Sequence, residues 1–422
     1  MPCVEPCPQA WQAAPVRIEL INTGSELLLG RVLNTHQQWI GQQLVAAGYE
    51  LAHQQTVPDT GAAIQASVRE AIGRSELVIV TGGLGPTADD LTRQRIAELL
   101  EVPLEEHSET RARIVALFKK IKRSMPESVL VQAQVPVGAL VLTNRHGTAP
   151  GLAMPTPKGW LILLPGPPRE LRPMFTDAVV PLLVEKMPPE NSIAVCTLKT
   201  TGLGESLVEK RIASALAGLD GLEVGFCARV GEVDVRLSTQ GDAALLDQAE
   251  AAVRGKIGEF IYGQGDDSLE EVVVHELTTR GQTLAVAESC TGGLLAHRIT
   301  NVPGASAVFL AGHCTYSNAA KVNTLGVKNE TLAAHGAVSE AVAREMAEGA
   351  RAQHGADYAL STTGIAGPSG GTAEKPVGTV FIALAGSGET RVLNPRNSFD
   401  RETFKFVTTQ QALDLLRRGL AK

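Results

Sequence analysis

A glycine-rich segment with two adjacent acids is the first place in this sequence where chemistry is expected. T-G-G-L-G-P-T-A-D-D-L-T occupies residues 81–92 and follows an apolar run at 77–80. Backbone N–H groups of such a turn bind phosphate oxygens, and the missing Cβ atoms let the ligand approach closely. Asp89 and Asp90 would repel a phosphate by themselves, so we expect a divalent cation between these carboxylates and the phosphates. The alternative is that both acids only cap the following helix.

A second group of reactive side chains lies in residues 304–321, which contain Ser306, Tyr316 and Lys321. A lysine can deprotonate a serine hydroxyl when burial lowers the lysine pKa. The residues alone leave another interpretation open, in which Tyr316 is a core phenol and Lys321 is a surface charge. Cys290 is a further candidate nucleophile, because a helix N-terminus lowers the pKa of a thiol.

Three more segments have residue types suited to binding an anion or an amide. Ser289, Thr291, Gly292 and Gly293 follow a predicted strand and begin a predicted helix, whose open N–H groups suit a phosphate or an amide oxygen. Thr363, Gly364 and Gly367 form a second glycine-rich turn, and Arg401 is suited to bidentate phosphate binding.

The composition disfavours two classes of function. The chain has 422 residues, is 44% hydrophobic and 20% charged, and has a net charge of −7. A broad basic face for nucleic acid is therefore not expected. No apolar run reaches the length of a membrane span, and the amino-terminal residues lack the pattern of a secretory signal, so we predict a cytoplasmic protein. The six scattered cysteines are expected to be free thiols.

The predicted elements place these segments at the ends of strands. Residues 16–80 alternate between strand-like and helix-like periodicity in the order βαβαβ, which predicts a parallel sheet with helices on both faces. Ligands bind such sheets at the carboxyl ends of the strands, where residues 23–26 and 81–90 fall. Residues 193–262 read as a small β-α-β-β-α unit, and residues 408–420 as the last helix.

Several long motifs, in order, resemble the CinA family. In the first half they are residues 81–92, G-S-E-L-L-L-G-R-V-L-N-T (24–35), N-R-H-G-T-A-P-G (144–151) and L-P-G-P-P-R-E-L (164–171). In the second half they are A-E-S-C-T-G-G (287–293), G-H-C-T-Y-S-N-A-A-K (312–321), H-G-A-V-S (335–339) and the glycine-rich segment 363–380. The chain departs from the family pattern at Phe399 and Lys405, where glycine and arginine are common.

The resemblance implies an α/β protein of three domains and two activities. A tail at 1–15 would precede a molybdopterin-binding-like α/β domain at 16–187, a KH-like α+β connector at 192–262 and an α/β deamidase domain at 266–422. The last domain would hydrolyse nicotinamide mononucleotide (NMN) to nicotinate mononucleotide and ammonia. The first would be a metal-dependent pyrophosphatase that converts ADP-ribose to AMP and ribose 5-phosphate. The other class of function is a pterin-binding protein, or an adaptor in competence and DNA repair with inactive sites.

The resemblance also assigns the site residues. Ser306 would be the nucleophile or a water-orienting hydroxyl, with Lys321 and Tyr316 as its proton-transfer partners and no cofactor. NMN would contact Ser289, Thr291, Gly292, Gly293, Thr363, Gly364 and Arg401. ADP-ribose would contact Gly24, Glu26, Asn34, Thr81, Gly82, Gly83, Gly85, Thr87, Pro165 and Gly166, with the divalent metal ion on Asp89 and Asp90. The expected partners are these two small molecules and a second copy of the chain, with no nucleic acid and no membrane.

Overall fold

The computed structural model describes residues 16–189 and 193–420. The chain divides into two compact units, Met1–Ala194 and Val195–Lys422. The tail predicted at 1–15 lies outside the described residues. Within the described part, no helix is long and apolar enough to cross a membrane. The predicted α/β class is confirmed.

The first unit is built on a six-stranded sheet with the strand order β2-β1-β3-β8-β7-β6. Its strands, with the separate hairpin β4–β5, are β1 (Ile18–Thr23), β2 (Leu51–Val57), β3 (Leu77–Thr81), β4 (Leu104–Glu106), β5 (Gln134–Pro136), β6 (Leu140–Leu142), β7 (Gly151–Pro155) and β8 (Trp160–Leu164). Its helices are α1 (Ser25–Leu28), α2 (His36–Ala46), α3 (Gly61–Arg74), α4 (Thr92–Leu99), α5 (Ser108–Lys120), α6 (Pro168–Met174) and α7 (Val180–Lys186). A 3-10 helix (Glu127–Ala133) and a π-helical turn (Phe175–Val179) complete it.

The parallel core of this sheet places three strand ends side by side. Strands β2, β1, β3 and β8 run parallel. Strand β3 is buried on both faces, because Leu77 and Ile79 pack in one apolar cluster while Val78 and Val80 pack in another. Strands buried in this way read as continuous apolar runs. The loops after β1, β3 and β8 therefore meet at one edge of the sheet.

The second unit begins with a small four-stranded sheet in the order β10-β11-β9-β12. Its elements are β9 (Ile193–Thr201), α8 (Glu205–Leu216), β10 (Leu222–Arg229), β11 (Glu232–Gln240), α9 (Ala243–Ile257), a 3-10 turn (Gly258–Phe260) and β12 (Ile261–Gln264). The predicted β-α-β-β-α order is present. The fourth strand includes Gly263 and Gln264, which the sequence analysis did not place in a strand.

The rest of the second unit is a five-stranded sheet in the order β14-β13-β15-β16-β17. Its strands are β13 (Leu284–Glu288), β14 (Phe309–Cys314), β15 (Tyr358–Gly364), β16 (Val380–Ala385) and β17 (Arg391–Leu393). Its helices are α10 (Leu269–Arg280), α11 (Leu294–Thr300), α12 (Asn318–Leu325), α13 (Asn329–His335), α14 (Glu340–His354) and α15 (Arg401–Leu420), with a 3-10 turn at Ala305–Ala307. Strands β13, β14 and β15 are parallel, whereas β16 and β17 are antiparallel.

The last helix is longer than predicted. It begins at Arg401 rather than at 408, because the carboxylate of Asp400 accepts the backbone N–H groups of Glu402 and Thr403. Phe404 and Val407 are buried and already belong to the apolar face of the helix, so the prediction began the helix too late.

Candidate active sites

A cleft of ≈ 380 Å³ lies at the carboxyl edge of the first sheet. The glycine-rich loop after β3 forms one side, and Gly82 and Gly83 have φ angles of 99° and 67°. A Cβ atom on Gly82 would lie 2.6 Å from the Thr23 hydroxyl oxygen. The loop therefore requires glycine both for its left-handed backbone and for its packing on the end of β1.

Six of the residues predicted to bind ADP-ribose line this cleft, namely Glu26, Gly82, Gly83, Gly85, Pro165 and Gly166. Four others have structural contacts instead. The side chain of Asn34 caps α2 through the N–H of His36, and the hydroxyl of Thr81 donates to the side chain of Asn22. Gly24 donates its N–H to the carbonyl of Val57. Thr87 lies in the loop and donates both its N–H and its hydroxyl to Asp90.

The two acids of the loop both line the cleft, but they are not equivalent. Asp89 is exposed. Asp90 holds the turn together, because one of its oxygens accepts from the N–H of Thr87 at 2.9 Å and from the hydroxyl of that residue. The helix-capping alternative is thus replaced by a loop-closing contact for Asp90.

Asp89 and Asp90 could supply part of the ligand set of a divalent cation. Among the residues that the structure describes, no three His, Cys, Asp or Glu side chains converge as a complete metal site. Two carboxylates beside a glycine-rich loop suit a Mg²⁺-like ion, which takes one or two protein carboxylates together with substrate phosphates and water. Asp89 and Asp90 would hold such an ion only when the phosphates are present.

Sequence reasoning missed several polar residues of the cleft. Asp59, Gln132, Thr148 and Glu170 also line it. Asp59 follows β2 and accepts the N–H of Ser25 at 2.8 Å, so it joins the loops after two neighbouring strands. The rule that parallel strands end at one edge of the sheet could have found Asp59. Gln132 comes from a 3-10 helix, and no local pattern signals it.

The second candidate site is centred on Lys321. This side chain is 1% exposed. Its Nζ lies 3.0 Å from Ser289 Oγ, 2.8 Å from the Thr315 carbonyl oxygen and 3.4 Å from the Tyr316 carbonyl oxygen. Burial lowers the pKa of Lys321. The serine beside this buried lysine is Ser289, whereas the prediction was Ser306.

Ser306 is separated from Lys321 by the length of a strand. It precedes β14, whereas Ser289 follows β13 and Lys321 follows β14. Strands β13 and β14 are parallel, with Leu284 beside Phe309 and Glu288 beside Cys314. Five residue steps along a strand span about 17 Å, so Ser306 lies at the opposite edge of the sheet. The assignment of Ser306 as the partner of Lys321 is corrected to Ser289.

Tyr316 faces a different partner from the one expected. Its side chain is 59% exposed, and its hydroxyl accepts a hydrogen bond of 2.8 Å from Arg401. Arg401 also donates to the carbonyl of Gly367 at 2.9 Å. Both acceptors are neutral, so the charge of Arg401 is not neutralised by these contacts. The backbone carbonyl of Tyr316 therefore accepts a hydrogen bond from Lys321, while its phenol oxygen accepts one from Arg401.

The sequence analysis predicted open N–H groups at the helix N-terminus at residues 289–293. In the structure this N-terminus is closed by a carboxylate. The buried carboxylate of Glu288 accepts the N–H groups of Gly293, Leu295 and Ala296 at 2.9–3.0 Å. These donors are therefore unavailable to a phosphate. The N–H groups of Cys290 and Thr291 donate to no described residue and remain for a ligand.

The remaining predicted residues have mainly supporting contacts. The hydroxyl of Thr291 pairs with that of Thr362 at 2.7 Å, and Thr363 donates to the carbonyl of Ala337 at 2.8 Å. Gly364 ends β15. Cys290 is 5% exposed, and burial raises its thiol pKa to about 12, which disfavours the thiolate nucleophile.

Comparisons with known proteins cover nearly the whole chain. Family models match at residues 19–185 (probable molybdopterin binding domain), 196–263 (damage-inducible protein CinA KH domain) and 266–420 (CinA C-terminal domain). A CinA-like protein of Akkermansia muciniphila is 46% identical over 404 residues, 94% of this chain and 96% of the relative. The chain belongs to the CinA family. A putative competence-damage inducible protein of Caldicellulosiruptor saccharolyticus is 45% identical over 407 residues, 95% of this chain and 98% of the relative.

A solved structure of a CinA relative matches one part of the chain. The competence/damage inducible protein CihA of Agrobacterium tumefaciens is 40% identical, with a TM-score of 0.35. The match covers 37% of this chain and 98% of the relative.

The CinA KH domain of this chain borders a cavity of ≈ 660 Å³ beside the second site. Val230, in the turn between β10 and β11, lines the cavity together with Leu294 and with Arg401 and Lys405 of α15. A Cβ atom on Gly292 would lie 3.8 Å from the Lys405 ammonium, so Lys405 reaches the Ser289 loop. The cavity thus combines apolar walls with two cations and with one carboxylate, that of Glu402.

Proposed function

We propose that the C-terminal domain is a serine amidohydrolase that deamidates NMN, with Ser289 as the nucleophile and Lys321 as its base. The observation that carries this proposal is the 3.0 Å distance from Lys321 Nζ to Ser289 Oγ in a buried setting. A neutral amine has two N–H donors and one lone pair. The carbonyls of Thr315 and Tyr316 use the two donors, which leaves the lone pair for the Ser289 hydroxyl proton.

The reaction then needs only residues of this domain. Ser289 Oγ attacks the carboxamide carbon as its proton passes to Lys321, and the N–H groups of Cys290 and Thr291 are free to donate to the oxyanion. The C–N bond breaks, and ammonia leaves with the proton from Lys321. Water hydrolyses the resulting ester by the same steps and releases nicotinate mononucleotide.

The phosphate of NMN is assigned to Arg401 and Lys405, which project four residues apart from α15. Neither side chain pairs with a carboxylate among the described residues. Lys405 replaces the arginine common in the family, and it contributes charge without the bidentate fork.

We also propose a homodimer, which sedimentation velocity would test.

We further propose that the first domain hydrolyses ADP-ribose to AMP and ribose 5-phosphate with a divalent cation. A cleft that combines a glycine loop with Asp89 and Asp90 favours this activity, because pyrophosphate cleavage needs both anion donors and charge compensation. A pterin-binding role is the second candidate, favoured by the molybdopterin-binding family match at 19–185. A pterin binder would bind molybdopterin without turning over ADP-ribose.

Ammonia release from NMN by the purified chain, with EDTA present, tests the deamidase. We expect turnover in the wild type, none in Ser289→Ala, and wild-type turnover in the matched control Ser306→Ala. Absence of turnover in a folded wild type would reject the deamidase. Loss in Ser306→Ala but not in Ser289→Ala would reject the mechanism while retaining the activity.

A further inference from the structure

Two of the motifs in the first half converge on one carboxylate that has so far been given no role. Glu170 belongs to L-P-G-P-P-R-E-L, and Asn144 and Gly147 belong to N-R-H-G-T-A-P-G. The side chain of Glu170 lines the first cleft, together with the glycine loop after β3. The residue is only 9% exposed, although it is ionisable.

The surrounding chain is built to hold this carboxylate in one position. Asn144 Nδ2 donates to Glu170 Oε2 at 2.7 Å and also to the Ala149 carbonyl at 2.7 Å. The N–H of His146 donates to Asn144 Oδ1 at 2.9 Å and fixes the amide orientation. A Cβ atom on Gly147 would collide with the Glu170 carboxylate, so only glycine fits there.

The second oxygen of the carboxylate is left for a ligand. Glu170 Oε1 accepts no hydrogen bond from any described residue, and its nearest cation is the exposed Arg169 at 4.0 Å. An ionised carboxylate can accept about four hydrogen bonds, and Asn144 supplies one. Because a buried carboxylate needs partners, the free oxygen suits a water molecule in the cleft.

We propose that Glu170 is the general base of the first domain, the group that deprotonates the water attacking the pyrophosphate. This inference rests on the proposed pyrophosphatase function. A role as third metal ligand is disfavoured, because no three acidic, histidine or cysteine side chains converge among the described residues. The substrate class is a dinucleotide-like pyrophosphate, whose phosphates face the loop at residues 82–85.

The step balances as a simple hydrolysis. The water oxygen forms a bond to one phosphorus atom as its proton passes to Glu170 Oε1. The bond between that phosphorus and the bridging oxygen breaks, and the other phosphate leaves with the bridging oxygen. Glu170 then returns the proton to solvent, and the products are two phosphate monoesters.

The test compares Glu170→Gln with Glu185→Gln, an exposed control on α7. We expect kcat for ADP-ribose to fall about 100-fold or more in Glu170→Gln, as for loss of a general base. The metal concentration that gives half-maximal activity should stay unchanged. Asn144→Ala keeps the Glu170 carboxylate but removes the hydrogen bond that positions it. This variant should lower kcat less than Glu170→Gln does. The circular dichroism spectrum and the urea unfolding transition report whether each variant is folded.

The outcomes separate this inference from the function on which it rests. Turnover by Glu170→Gln within about threefold of the wild type would overturn the assignment and leave the pyrophosphatase intact. A large rise in the metal requirement would make Glu170 a ligand and also overturn it. If Glu170→Gln does not fold, an unchanged kcat in Asn144→Ala would overturn the assignment. A folded wild type that does not cleave ADP-ribose would overturn both proposals.

Discussion

At the scale of single residues, the deamidase depends on the protonation state of Lys321. Burial lowers its pKa, so the neutral amine is populated at a lower pH than for a free lysine. We predict that kcat for NMN rises with pH to a plateau, with a midpoint below the ordinary lysine value of 10.5. Because the base must be neutral, Lys321→Arg should lose at least about 100-fold in kcat. Ammonia release measured from pH 6 to 10 gives both the pH dependence of kcat and the loss in Lys321→Arg. The exposed substitution Lys328→Arg is the control. A flat pH profile would contradict the prediction.

The thiol of Cys290, next to Ser289, is predicted to be dispensable for turnover, in contrast to Lys321. Cys290 is buried, and its thiol pKa of about 12 leaves it protonated at neutral pH. We predict that Cys290→Ala keeps NMN turnover within about threefold, because only the backbone N–H of residue 290 is used. Loss of activity in a Cys290→Ala protein with a wild-type circular dichroism spectrum would return the thiol to the mechanism.

At the scale of elements, one carboxylate fixes the turn from β13 into α11. Glu288 is 1% exposed and accepts three backbone N–H groups, so it shapes the loop that holds Ser289. We predict that Glu288→Gln lowers the free energy of unfolding of the second unit by about 1–3 kcal/mol, because an amide has one acceptor oxygen and introduces unpaired donors. Urea unfolding measures this, with exposed Glu330→Gln as the control. Equal stability of the two variants would show that the carboxylate does not hold the turn.

At the scale of the whole molecule, the two proposed reactions belong to two different compact units. Asp90 lies in the first unit and Lys321 in the second. We predict that Asp90→Ala abolishes ADP-ribose cleavage and retains NMN deamidation, and that Lys321→Ala does the reverse. Parallel assays of AMP and ammonia on each purified variant measure this. Loss of both activities in either folded variant would reject two separate sites.

Much of the fold follows from local sequence pattern. The apolar strand at 77–80, the β-α-β-β-α order of the connector and the glycine loop at 81–90 all depend on neighbouring residues, and all are present. The start of α15 was missed, although Phe404 and Val407 continue its apolar face, because the capping role of Asp400 was not recognised. The fourth connector strand was missed because its last two residues, Gly263 and Gln264, resemble a linker.

The sequence by itself determined the family, the fold class and most of the candidate site residues, because motifs and periodicity are properties of adjacent positions. Only the tertiary structure decided which of those residues meet. The direction of the strands places Ser289 beside Lys321, although Ser306 is nearer to Lys321 in the sequence. The return of Glu288 onto its own helix closed an N-terminus that appeared open. The contact between Asn144 and Glu170, 26 residues apart, exists only because two loops meet at one edge of a folded sheet.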